Sequence, residues 1–163
     1  TKELDDGTDV QFFALDTMQM LLKKNARKKQ LEWLEDQLEE SKAYWKIVFA
    51  HHPVYAGGKH GDTEEFIKWI EPLLIQYGVD LYVSGHEHVL AAVKPVFGVD
   101  YLISGAGAAP SAASDAVRRP QDLFMKATLG FAIIRISREN IEIEMRWGKN
   151  GRILYEYIAD KEE

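Results

Sequence analysis

A chain of 163 residues, 46% hydrophobic and 28% charged, has the length and balance of one globular domain with a sizeable core, which excludes a disordered polypeptide. It contains no cysteine, so disulfides, thiolate metal ligands and cysteine nucleophiles are excluded together. A formal charge of −6 argues against a basic groove for nucleic acid, and no apolar run approaches the ~18–20 residues of a membrane span.

In chain order, an acidic opening around Asp5, Asp6 and Asp9 reads as a loop, and residues 10–15 read as a short apolar strand. The basic run from Lys23 to Lys29 reads as a solvated loop or helix face. Over residues 30–42 the spacing of Leu31, Leu34 and Leu38, with acidic residues between them, predicts an amphipathic helix. Residues 46–50 form a buried strand ending at His51-His52-Pro53. A second helix is expected from Asp62, where Asp62 and Glu65 have the form of a capping box, to a stop at Gly78. Pro72 should kink that helix or divide it. A strand over 79–84 then ends at Gly85-His86-Glu87-His88, and another over 99–104 ends at Gly105-Ala106-Gly107-Ala108-Ala109-Pro110. The polar and basic stretch that follows, to Gln121, reads as mobile. Three strands close the chain, over 130–136, 141–147 and 152–158, the last two joined through Asn150-Gly151, a strong hairpin signal. This order predicts an α/β sandwich with a mixed sheet and a terminal antiparallel meander.

All five histidines lie between His51 and His88, and three of them stand where a strand runs into a loop. That is where α/β sheets place ligands, because the carboxyl edge offers free backbone groups and an open crevice. In an extended backbone His86 and His88 would point to the same side, and Gly85 would let the chain approach a ligand closely. Imidazole is the commonest nitrogen donor for first-row metals, and His51 would supply a third nitrogen if the two strands are neighbours. Three such histidines alone would suit a mononuclear zinc site with water in its fourth position. Glu87, between two histidines, is expected to point away from them as a solvated or outer carboxylate. The tryptophans, spread singly, read as core.

The segments Val48-Phe49-Ala50-His51-His52-Pro53-Val54, His60, Ser84-Gly85-His86-Glu87-His88 and Ser104-Gly105-Ala106-Gly107, in that order, resemble the calcineurin-like metallophosphoesterases. Among these the chain is similar to the small, tartrate-resistant type of purple acid phosphatase, over nearly its whole length. The resemblance implies a four-layer α/β-β/α sandwich and a dinuclear centre of iron with iron, zinc or manganese. It gives His51 and His86 to the divalent metal, His88 to the ferric one, and His60 to positioning or protonating the leaving group. His52 stands where these enzymes often carry Tyr, and is expected, with Gly85, behind the ligands or facing substrate. The family's other ligands come from an N-terminal half with an Asp-x-Gly or Asp-x-His strand end, a Gly-Asp-x-x-Tyr segment and a Gly-Asn-His segment, none of which occurs here.

Residues 1–163 are therefore expected to form the C-terminal part of a single metallophosphoesterase domain. That part would be inactive alone and would hydrolyse phosphomonoesters once the N-terminal half joins it. Similar enzymes are mostly exported or lysosomal. A non-catalytic scaffold with the same fold is the alternative. A dinucleotide-binding loop at Gly105, a P-loop and a Gly-x-Ser-x-Gly elbow are rejected on their missing residues.

Overall fold

Apolar residues at alternate positions build two sheets, and the leucine-spaced segments build helices against one of them. The computed structural model describes residues 1–161. Its elements run β1 (Lys2–Glu3), β2 (Asp9–Leu15), α1 (Thr17–Leu22), α2 (Lys24–Glu40), β3 (Trp45–Ala50), α3 (Glu64–Trp69), α4 (Glu71–Gln76), β4 (Leu81–Ser84), β5 (Leu90–Val96) and β6 (Val99–Ser104). A short 3-10 turn (Ala113–Asp115) precedes β7 (Asp122–Lys126), β8 (Gly130–Ile136), β9 (Asn140–Trp147) and β10 (Ile153–Asp160).

Strands β1-β2-β3-β4-β6-β5-β7 form a seven-stranded mixed sheet, and β10-β9-β8 a three-stranded antiparallel one. Within the larger sheet β2, β3, β4 and β6 are mutually parallel, while β5 runs antiparallel to β6 and β7. The strand period of two sorts the core into two layers. Val48, Tyr82, Val93 and Tyr101 pack with Leu34, Leu38, Phe66, Ile70 and Leu74 on the helical side. Their neighbours Ile47, Leu81, Ala92 and Leu102 pack with Ile141, Ile143 and Met145 of the second sheet. Each large apolar side chain among them contributes roughly 1.5–3 kcal/mol by leaving water. Trp45 Nε1 also donates to Ser137 O across the layers at 2.6 Å.

The α/β order, the mixed sheet and the terminal meander stand as expected. Pro72 falls in the first turn of α4, where its missing N–H costs nothing, so the helix divides at Ile70, and Gly78 stops it with φ +60°. Other details differ. The first long helix begins at Lys24, so the basic run is a helix face, and the Asp16 side chain caps α1 by accepting from Gln19 N at 3.0 Å. The expected capping box at Asp62 is absent. Thr63 precedes α3 without a side-chain cap, and Asp62 instead accepts from Ala56 N at 2.8 Å.

Strand β5 carries a weak sequence signal, since Ala91 and Ala92 favour strands little and Pro95 cannot donate to a ladder, and β7 is only five residues long with a charge at each end. The structure puts Pro95 inside a register shift between Val93 and Val96, where no ladder donor is needed. Asn150-Gly151 is part of a longer turn in which only Gly151 has positive φ, at +72°. The tight two-residue turn is Phe97-Gly98, with φ +49° and +81°, between the paired residues Val96 and Val99. The stretch to Gln121, expected to be mobile, is anchored. Arg119 NH1 donates to Asp62 Oδ1 at 2.7 Å and its NH2 to Asp122 Oδ1 at 3.1 Å.

Candidate metal centre

Strands β3 and β4 are parallel neighbours, with Ile47 opposite Leu81 and Phe49 opposite Val83, so both end at the same edge. The pairing continues one step further, Gly85 N donating to His51 O at 3.0 Å. Two loops rich in histidine therefore leave the sheet side by side. His51 Nε2 and His86 Nδ1 stand 3.1 Å apart, and with His52 they offer three ring nitrogens within 4.8 Å of one another. Two imidazole nitrogens bound to one metal at ~2.0–2.1 Å lie about 3.0–3.4 Å apart, and the 3.1 Å between His51 and His86 falls in that range.

His52 is only 6% exposed. Its backbone N donates to Thr17 Oγ1 at 3.1 Å, and its ring Nδ1 lies 2.8 Å from the same oxygen. Tyr82 OH donates to its carbonyl at 2.9 Å. Burial first, and then the neighbouring histidines His86, His51 and His60, push its pKa down to about 4. Burial and the adjacent His60 and His51 likewise lower His86. Burial and the neighbouring imidazoles thus favour, at His52 and His86, the neutral form that metals bind, and Glu87 acts in the opposite sense on His86 without reversing it.

The turn after β4 differs from the extended form expected of it. His86 has φ +62°, in the left-handed region, and Glu87 N and Val89 N donate to the carbonyls two residues before them, each at 2.7 Å. This curl separates the two histidines: His86 is half-buried among the other rings, and His88 is exposed outside that group. Toward the protein itself Gly85 is not crowded, since a Cβ there would meet His51 O at an ordinary 3.8 Å. The close approach is at Gly105, where a Cβ would lie 2.0 Å from Glu87 O.

Of the two places expected for Glu87, solvated or outer carboxylate, the first does not hold, since it is 1% exposed. Its Oε1 accepts from His60 N at 2.9 Å and lies 2.8 Å from His60 Nδ1. Its Oε2 is buried without a hydrogen-bond partner, against Gly58, whose Cβ would come within 2.1 Å of it. His60 is thereby brought to the cluster, its ring centroid 4.7 Å from that of His86. Thr17 and Arg119 also belong to this region and gave no signal in the sequence. Both act across 35 or more residues, Thr17 on His52 and Arg119 on Asp62, and no spacing rule reaches that far.

Helices on one face of a mixed sheet, a second sheet on the other, and histidines gathered at the carboxyl ends of adjacent parallel strands define an α/β protein with a histidine-lined edge. Residues 5–90 match the model of the calcineurin-like phosphoesterases, and the chain belongs to that family. It is 41% identical to tartrate-resistant acid phosphatase type 5 of Oryctolagus cuniculus over 78 residues, covering 48% of this chain and 24% of that protein. With purple acid phosphatase 17 of Arabidopsis thaliana it shares 35% identity over 133 residues, covering 79% and 39%. The chain thus spans well under half the length of these relatives. Among solved structures it superimposes on GAP50, the anchor in the inner membrane complex of Plasmodium, with a TM-score of 0.87 and 22% identity over 94% of this chain and 50% of that one. The purple acid phosphatase kinship read from the histidine motifs is thereby shown, and the family implies a dinuclear metal centre.

Proposed function

We propose that this chain carries the histidine-bearing part of a two-metal phosphomonoesterase. The observation behind the reading is the 3.1 Å approach of His51 Nε2 to His86 Nδ1, with the His60 ring beside them. His51 and His86 would hold one ion and His88 a second, on the exposed side of the turn; iron paired with iron, zinc or manganese would suit imidazole with oxygen donors. Bound there, the cations would supply Lewis acidity and positive charge toward a phosphoryl group. The chain's own residues do the rest. His52, tied to Thr17, walls the cluster; Gly85 leaves the approach above β4 free of a side chain; His60 gives a proton to the leaving oxygen.

Among the described residues the metal-capable group consists of imidazoles alone. Two cations a few ångströms apart need a carboxylate between them to offset their repulsion. A complementary half, completing one domain with residues 1–163, supplies it in this reading, and the chain alone is inactive.

The same lack of a carboxylate favours a second reading, a scaffold without turnover; GAP50, an anchor in the inner membrane complex of Plasmodium, has this fold. Metal content and hydrolysis of a chromogenic phosphomonoester, measured on the chain alone and with the complementary half, separate the two. Two metals and turnover only in the mixture support the phosphatase. Neither metal nor turnover in the mixture leaves the scaffold.

A further inference from the structure

We propose that Glu87 is the positioning residue for His60, gripping its ring at Nδ1 so that Nε2 is the atom that exchanges a proton with the substrate. The catalytic half of this inference rests on the acid role given to His60 above.

One carboxylate oxygen, Glu87 Oε1, receives both the backbone N–H of His60 and its ring Nδ1, at 2.9 and 2.8 Å. Oε1 already accepts the backbone N–H of His60, and accepting from the ring as well places the hydrogen on Nδ1 and leaves Nε2, across the ring, bare. The His60 side chain is 55% exposed, whereas that of Glu87 is 1% exposed. A half-solvated ring that would otherwise rotate is thus held at two points by a group that cannot move. The surroundings are shaped to admit that group. A side chain at Gly58 would strike Glu87 Oε2, and one at Gly105 would strike Glu87 O. On its far side the His60 loop is closed by Asp62, which takes Ala56 N and the Arg119 guanidinium. Because Glu87 lies between His86 and His88, the grip also fixes the distance from the proton donor to the metal-binding turn.

The proton transfer then has a defined course. His60 as imidazolium keeps Nδ1–H on Glu87. As the P–O bond to the leaving group breaks and its electron pair passes to the leaving oxygen, that oxygen takes the Nε2 proton, while the oxygen of the attacking water bonds to phosphorus and gives one of its protons to solvent, from which His60 is later reprotonated. The ring is left neutral with its hydrogen on Nδ1, the tautomer that Glu87 selects. With Nδ1 free, an imidazole side chain prefers the opposite tautomer.

Nitrogen-15 NMR of the labelled, metal-free chain reads this directly, with no need for turnover. His60 should appear, when neutral, with Nδ1 protonated and Nε2 bare; Glu87→Gln, which keeps an acceptor of equal reach, should preserve that pattern. Glu87→Ala should convert it to a mobile ring, mostly Nε2-protonated. A wild-type His60 already mostly Nε2-protonated overturns the proposal without reliance on any variant's folding, and so does an Ala variant that is folded and unchanged. In the mixture with the complementary half, Glu87→Ala should lower kcat for an alkyl phosphate about 10–100-fold more than for a nitrophenyl phosphate, with KM little changed. Equal losses on both esters, beside a locked tautomer, would overturn the acid role of His60 while leaving its bond to Glu87 in place.

Discussion

Two glycines show how closely the histidine-bearing turn after β4 is fitted to its neighbours. A methyl group on Gly105 would stand 2.0 Å from the backbone oxygen of Glu87, which cannot rotate away, whereas one on Gly85 meets nothing closer than 3.8 Å. Gly105→Ala should therefore cost about 1–3 kcal/mol in urea denaturation, and Gly85→Ala under ~1 kcal/mol. The reverse order of costs would mean that the loop after β6 is not seated on the turn. At this scale the sequence was informative about residue type and weak about placement. A histidine between residues that end two strands is visible as a candidate ligand, and His51 and His86 do meet. Whether Glu87 pointed outward depended on the backbone at His86, and an extended chain was the wrong premise. A left-handed residue other than glycine leaves no mark in composition or spacing.

Among the elements, the β5–β6 hairpin is where sequence and structure pull apart most usefully. Phe97 occupies the first central position of the tight turn at φ +49°, and is 81% exposed. A large aromatic there gains nothing from packing and bears the cost of the left-handed conformation, about 1 kcal/mol. Phe97→Asn should raise stability by roughly 0.5–1 kcal/mol, seen as a rise of a few degrees in Tm, since Asn tolerates that region. Turn rules instead pointed to Asn150-Gly151, which the chain spends on a longer loop. The helices were legible because leucine spacing, Pro72 and Gly78 each impose a local constraint. Strand β5 was not, because an alanine pair and a proline make a strand only when neighbouring ladders recruit them, and β7, five residues with a charge at each end, is too short to show a period.

For the molecule as a whole, the face of the sheet that meets the helices carries a polar seam. Tyr55 OH donates to Glu71 Oε1 at 2.5 Å, and Tyr101 OH reaches the same oxygen at 3.3 Å. Burial first, with Glu71 close by, pushes both hydroxyls well above the ordinary tyrosine value near 10, and burial alone does so for Tyr82. The sign follows from linkage. Below about pH 10 the folded and unfolded chains hold these protons equally; above it the unfolded chain releases them first, so stability falls as pH rises. Absorbance at 295 nm should show these tyrosines ionising only together with unfolding, in one cooperative alkaline transition measured by circular dichroism. Gradual ionisation ahead of unfolding would mean that the seam is open to water. The layered architecture was readable from the order of elements, but this seam was not, since Tyr55, Glu71 and Tyr101 come from three separate segments.

The left-handed backbone of His86 sets folding and binding against each other. Glycine is at ease at φ +62°, whereas histidine is not, so His86→Gly should leave the metal-free chain as stable as before or firmer, by up to ~1 kcal/mol, and should weaken its hold on zinc or cobalt tenfold or more. Selection for thermostability alone would discard this imidazole, and selection for ligand capture would restore it. A directed-evolution library randomised at this one codon and sorted separately on each trait should diverge, and the divergence would measure what the site demands of the fold.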